Sequence, residues 1–184
     1  TSRSSTLSSL FLSPSPLASC IWSPGWALSS KTIGPMMSIK VVHKSNDLPQ
    51  EISQKVLVDF LYEHLGRFRD TPSAINKAID YAFSTKRGKG GFLILAFWDD
   101  KLCGVLVLNK TGMEEYIPEN ILVYIATDKS KRNMGIGSIM LKKALEIAEG
   151  DIALHVEYNN PAIHLYERFG FTTKYAEMRW LREK

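Results

Sequence analysis

The sequence predicts a mixed α/β domain: a mostly antiparallel central sheet of about six strands, with helices on both faces. Three observations predict it. Apolar runs of strand length and segments with three-to-four spacing follow one another as strand, two helices, three strands, helix, strand, helix, strand, an order that lays helices on the faces of one sheet. One run, Ile121–Thr127, is apolar nearly throughout, as befits a central strand covered on both faces. Directly after it a glycine-bearing turn, Arg132-Asn133-Met134-Gly135-Ile136-Gly137-Ser138, opens a helical pattern.

Each element has its own signal. Ser38–His43 alternates weakly and reads as the first strand. Leu48-Pro49-Gln50 opens a helix carrying Ile52, Val56, Phe60 and Leu61, and Leu65 and Phe68 extend that face. Asp70-Thr71-Pro72 starts a second helix, a capping side chain ahead of proline in the first turn, with Ile75, Ala78, Ile79 and Ala82 on one face. The glycine-rich stretch 87–91 precedes a strand rather than a helix, so it is not a phosphate-binding P-loop. Phe92–Trp98 and Leu102–Leu108 are strands joined at Asp99-Asp100-Lys101. Thr111–Pro118 is a loop made acidic by Glu114 and Glu115, with Glu119 at its end. The helix from Gly135 is expected to bury Ile139, Met140, Ala144 and Ile147 or Ala148. Asp151–Val156 is a further strand. Asn160-Pro161 opens a short helix that Gly170 stops, and Phe171–Leu181 is the last strand.

The beginning of the chain is a different kind of sequence. Thr1–Pro35 is rich in Ser and Pro and has no acidic residue, and its apolar residues are broken by Pro14, Pro16, Pro24 and Gly25. No stretch of it is long enough to span a bilayer. Residues 1–36 therefore read as a leader, tag or targeting segment, and 37–184 as the folded domain. Three readings of the leader compete: an expression scar or translated upstream sequence ahead of a start at Met36-Met37, a Ser-rich organelle transit segment, or a signal using the lipobox-like Leu17-Ala18-Ser19-Cys20.

Composition bounds the function. With 184 residues, 45% hydrophobic and 23% charged, the chain is long enough for one domain with a sizeable core and ordinary for a soluble protein. Four of its 23 basic residues, Arg3, Lys31, Lys40 and Lys44, precede the first acidic one, Asp47. The 19 that remain match the 19 acidic residues. No basic footprint for nucleic acid is evident in that remainder, and no membrane partner is expected. Two distant cysteines, Cys20 and Cys103, suggest neither a disulfide framework nor a zinc site and fit a reducing, cytoplasmic compartment. Monomer and homodimer are both compatible with the sequence.

The turn at 132–138 carries the first functional expectation. The opening N–H groups of a helix have no partner within it, and the helix dipole places about half a positive charge there. Gly135 and Gly137 remove side chains where a diphosphate would touch the backbone. The dinucleotide pattern Gly-x-Gly-x-x-Gly is not met, because Met140 occupies its third position. A phosphate-bearing ligand is expected all the same.

A second motif lies downstream: Asn159-Asn160-Pro161-Ala162-Ile163-His164-Leu165-Tyr166-Glu167-Arg168-Phe169-Gly170-Phe171. With Arg132-x-x-Gly135-x-Gly137 one strand earlier, it resembles the GCN5-related N-acetyltransferase superfamily over roughly Ile39 to Arg182. The resemblance implies that family's fold, acetyl-CoA as co-substrate, and an amine as acceptor, small molecule or peptide. It implies a diphosphate cradle of amides from Met134, Gly135, Ile136, Gly137 and Ser138, with Arg132 adding positive charge. The pantetheine arm would pair with the preceding strand, including Ile125 and Thr127, where the two central strands splay. The Ile125 N–H would stabilise the oxyanion, and Asn159 and Ala162 would help hold the cofactor. Tyr166 would protonate the departing thiolate.

The chemistry asks for the same parts. An amine must be neutral to attack a thioester, the intermediate carries charge on oxygen, and the thiolate benefits from a proton donor. The general base is the departure: histone-type members carry Glu where this chain has Ile121. Glu119, Glu114 or Glu115 would substitute, directly or through a water chain, or Tyr124 would help, with Glu119 first among them. An alternative is a sensor or regulatory domain that binds acyl-CoA without turnover. No metal is expected: His155-Val156-Glu157 lacks the Pro-Cys-x-x-Cys of zinc deaminases, and His164 and Glu167 lack a third ligand.

Overall fold

The computed structural model describes residues 36–182; the leader expected at 1–36 lies outside them save Met36. Five strands, β1 (Met37–Val42), β2 (Gly91–Trp98), β3 (Lys101–Lys110), β4 (Asn120–Thr127) and β5 (Ile152–Leu154), form one sheet in chain order. The first four are antiparallel neighbours, and β5 runs parallel to β4. The helices are α1 (Gln54–His64), α2 (Pro72–Ala82), α3 (Ile136–Ile147) and α4 (Ile163–Arg168). No helix among the described residues is long and apolar enough to cross a membrane.

Each face of the sheet has its own core. Leu57, Val58 and Leu61 of α1 and Ile75, Ile79 and Ala82 of α2 pack on Leu93, Leu95, Val105, Val107, Tyr124 and Ala126. Ile136, Met140, Leu141 and Ala144 of α3 and Tyr166 of α4 pack on Ile94, Ala96, Leu106, Leu108 and Leu122. α3 sits close to β3 because position 104 is glycine: a Cβ there would stand 2.8 Å from Met140 Cε.

Five expectations need correction. The sheet has five strands, not six. Phe171–Leu181 takes no strand: Ala176, Met178 and Trp180 alternate with Glu177 and Arg179, but β5 offers an edge of just three residues. The strand expected at Asp151–Val156 is accordingly only Ile152–Leu154. α1 starts at Gln54, capped by Ser53, whose Oγ accepts from Val56 N; it buries Leu57 and Val58 and leaves Val56 exposed. α3 buries Ile136 and Leu141 and turns Ile139 to solvent.

One irregularity reassigns β4's faces. Leu122 pairs with Leu108 and Tyr124 with Val107, so Val123 is an extra residue, a β-bulge. Alternation would otherwise put Leu122 and Tyr124 on the same face. The bulge sends Leu122 to the α3/α4 side and Tyr124 to the α1/α2 side.

Candidate active site

The site is built around the second half of β4. β5 pairs with β4 only from Asn120↔Ile152 to Leu122↔Leu154. Beyond Leu122 this pairing stops, and among the described residues β4 from Val123 to Thr127 has no strand on that side. A strand directs alternate backbone groups to either neighbour, so this stretch presents hydrogen-bonding groups to a gap. Ile125 and Thr127 lie along it.

At the gap's upper end the chain turns into α3. Asp128 N–H donates to the Cys103 carbonyl (2.9 Å), and the Asp128 carboxylate accepts from Ser130 N and Oγ (both 2.8 Å), which holds it below the usual carboxylate range. Asn133 (φ 64°) and Gly135 (φ 80°) both adopt the left-handed conformation, which an L side chain disfavours and glycine does not. α1 and α2 have side-chain caps, from Ser53 and Thr71, but α3 begins on Gly135 with none. Its first amides, at Ile136, Gly137 and Ser138, therefore lack an acceptor among the described residues. A Cβ at Gly135 would meet nothing among the described residues within 4 Å, so open space adjoins the start of α3.

Across the gap stands α4. Gly137 brings the two sides together: a Cβ there would lie 3.4 Å from Leu165 Cδ2 and 3.9 Å from Thr127 Cγ2. Ala162 is the residue before α4, which has no side-chain cap; Asn160 Oδ1 accepts from Ala162 N at 3.0 Å in the turn that leads into it. The Asn159 side chain is left exposed. Tyr166 is buried against the α3 core, edge-on to Phe171 with ring centroids 5.9 Å apart. Burial pushes its phenol up to about 12, so at neutral pH it carries its proton. No protein group among the described residues accepts that hydroxyl, which leaves it free to donate.

The connection between α1 and α2, within the Glu63–Asp70 region that the sequence reading places at the acceptor pocket, spans the gap. Arg132 Nη2 donates to the His64 carbonyl (2.7 Å), Lys129 N–H donates to His64 Nδ1 (3.2 Å), and Arg67 Nη2 donates to the Asn159 carbonyl (3.3 Å). The segment is thus fastened to both sides of the parting strands. Thr71 caps α2, which leaves Asp70 free to accept the Tyr124 hydroxyl at 2.7 Å. These pairs are 54 to 92 residues apart, and no local pattern signals them.

The structure thus brings Ile125, Thr127, Arg132 and Met134–Ser138 together with Asn159, Ala162 and Tyr166. It sets Glu119 apart. Glu119 precedes β4, six residues from Ile125 and so about 20 Å away along the strand. Its carboxylate accepts from Asp151 N–H at 2.6 Å, a bond that lowers its pKa. Glu114 and Glu115 lie in the exposed loop before it. No group of three potential metal ligands occurs among the described residues.

Fold and site together define a protein that presents bare helix amides beside a parted pair of central strands. The acetyltransferase (GNAT) family model matches residues 58–171, and the chain belongs to that family, whose members use acetyl-CoA as acetyl donor. Similar solved structures share the fold. A GNAT-family acetyltransferase from Streptococcus pneumoniae TIGR4 is 18% identical, with a TM-score of 0.54 over 81% of this chain and 100% of that one. An aminoglycoside acetyltransferase from an uncultured soil metagenomic sample is 15% identical, with a TM-score of 0.56 over 80% and 99%. Arabidopsis thaliana Naa50, in complex with the bisubstrate analogue CoA-Ac-MVNAL, is 21% identical, with a TM-score of 0.52 over 72% and 82%. A search of curated proteins gave no significant match.

Proposed function

We propose that the protein transfers the acetyl group of acetyl-CoA to a primary amine by direct attack within a ternary complex. The observation that carries this reading is the uncapped start of α3 at the mouth of the β4–β5 gap. Amides from Met134 to Ser138 would hold the diphosphate, where free N–H groups and the helix dipole both favour anions. Arg132 contributes charge nearby while its guanidinium fastens α1. The pantetheine arm would lie along β4 past Val123, with Thr127 and, across the gap, Asn159 and Ala162 beside it.

The thioester would then sit at Ile125, whose N–H would polarise its carbonyl and stabilise the developing oxyanion. Tyr166 would give its proton to the departing thiolate. The acceptor would enter from the α1/α2 side, its amine belonging to a small molecule or a peptide; the aminoglycoside enzyme and the bisubstrate analogue above are consistent with either. We assign Glu119 to holding the α3–β5 turn.

The test is thiol release from acetyl-CoA by the full chain over a panel of polyamines, aminoglycosides, amino acids and peptides. Turnover with one class supports transfer and names the acceptor. Tight CoA binding without turnover for any amine favours the sensor reading, for which the absence of a carboxylate on β4 speaks.

A further inference from the structure

We propose that Asp70, acting through Tyr124, draws off the proton that the acceptor amine must lose. This rests on the transfer reading above and assigns the base that position 121 does not supply.

Two tyrosines flank the gap, on opposite faces of the sheet. Tyr166 faces the α3/α4 core and has no acceptor for its hydroxyl among the described residues. Tyr124 immediately precedes Ile125 but faces the α1/α2 side, because of the bulge at Val123. Its hydroxyl donates to Asp70 Oδ2 at 2.7 Å. A phenol already donating to a carboxylate has its oxygen lone pairs free to receive a second proton, and a place to send its own. A phenol without an acceptor has only a proton to give. The two side chains therefore divide the work by their partners: proton removal on the α1/α2 side, proton delivery on the α3/α4 side. Asp70 is exposed, so a proton collected there can leave to water.

Charged and titratable side chains stand around Asp70. Arg179 of the C-terminal segment lies within electrostatic reach of its carboxylate. Arg69 stacks on the Tyr62 ring at 4.1 Å, and Arg67 is turned to the Asn159 carbonyl. His64 is engaged with Lys129 N–H. None of these forms a salt bridge with the carboxylate.

The step balances as follows. The Tyr124 oxygen takes a proton from the ammonium while its own passes to Asp70, which releases it to water. The neutral nitrogen forms a C–N bond with the thioester carbon. The C–S bond then breaks with its electron pair going to sulfur, and Tyr166 protonates that thiolate. The nitrogen's second proton leaves as the amide forms and restores Tyr166. Two protons leave the nitrogen; one ends on coenzyme A and one in solvent.

The test compares two acceptors on the full chain: the best alkylamine from the panel, an ammonium at pH 7, and hydroxylamine, which is neutral there and needs no base. Asp70→Asn is expected to cut kcat/KM for the alkylamine by about 100-fold at pH 7. The deficit should shrink as pH rises toward the amine's own pKa and be only a few-fold with hydroxylamine. Tyr124→Phe should behave alike, Asp70→Glu should restore part of the rate, and CoA affinity by calorimetry should stay within about 2-fold of wild type in all three. An equal deficit for both amines at every pH would make the pair a fastening of the α1–α2 connection and overturn the relay. So would wild-type turnover that Asp70→Asn leaves intact, with the transfer reading untouched. Absence of thiol release from the wild-type chain with every amine removes the transfer reading, and the relay with it.

Discussion

Below Leu122, β4 is held on every side; beyond it, the same strand stands open. In the lower half β5 completes the ladder, and Glu119 and Asn120 clamp the turn that leads into it. Asn120, 1% exposed, donates from Nδ2 to the Glu149 carbonyl (2.6 Å) and toward the Asp151 carbonyl (3.3 Å), and its N–H donates to Asp151 O (3.1 Å). In the upper half these partners are missing. The bulge turns Tyr124 away, β5 has ended, and α3 starts on a glycine. The difference teaches how one strand serves two purposes: saturating its polar groups below keeps the strands in register, so that the same groups can be left unsatisfied above. An unsatisfied amide is costly when buried, and the open half escapes that cost by facing solvent or a ligand.

The largest effect is expected from filling the open half. Gly135→Val places a branched side chain on a left-handed backbone and in the open space that adjoins the start of α3. Charge-assisted hydrogen bonds contribute about 1.5–3 kcal/mol each, so excluding the diphosphate should weaken CoA binding by about 100-fold. Calorimetry measures this, with a thermal melt to show that the chain still folds. Equal affinity would remove the cradle assignment.

Breaking the closed half should cost folding instead. Asn120→Ala strips the Glu149 carbonyl of its side-chain donor at a buried position, while Asp151 O keeps the backbone N–H of residue 120; it is expected to destabilise by about 2 kcal/mol, read as a lower denaturant midpoint at unchanged slope. CoA affinity of the folded protein should move much less. A large loss of affinity with intact stability would mean that the two halves are not separable.

Much of this division was legible in the chain and some was not, for reasons that lie in particular residues. The Pro72 helix start and the glycine turn that opens α3 are local signals, and both elements stand where those residues suggested; the place of Tyr166 came from the motif resemblance. The bulge at Val123 left no local trace: Ile121–Thr127 is nearly all apolar, and only its pairing with β3 shows which residue is extra. Tyr124 could not be assigned a face without it. Asp70 read as part of a helix start, and only the approach of β4, 54 residues on, gives its carboxylate a partner. The C-terminal strand failed for the converse reason. A pattern of alternating residues becomes a strand only when an edge receives it, and β5 is three residues long.

Between the two halves stands Tyr166. Tyr166→Phe should lower turnover by about 10-fold with little change in CoA affinity, as loss of a general acid does; unchanged turnover would exclude it as the proton donor. The same variant has a pH signature. The folded phenol sits near 12 against an ordinary 10, so between these values the unfolded chain ionises first. Stability should therefore fall as pH rises through that window, by about 2–3 kcal/mol in all for this group. Tyr166→Phe should remove that part of the alkaline slope, while Tyr124, also raised by burial and then by Asp70, retains its own.

The smallest effect is expected at Glu119, and it separates the halves most cleanly. Its carboxylate accepts the Asp151 N–H, and a built Cβ on Gly150 would lie within 3 Å of it, so it belongs to the clamp. Glu119→Gln keeps an acceptor oxygen at that amide and removes only the charge. Because the folded pKa lies below the ordinary value of 4.5, the ionised group favours the folded state above that value, and this contribution fades as pH falls through the lowered one. Gln should flatten that acid-side loss and leave turnover at pH 7 within about 2-fold of wild type, as surface substitutions usually do. A deficit for Glu119→Gln that matched Asp70→Asn, shrinking with rising pH and absent for hydroxylamine, would move the base to the closed half and end the division drawn here. The geometry argues against it, since a proton would have to travel along most of β4 to reach a carboxylate already occupied by the turn it holds.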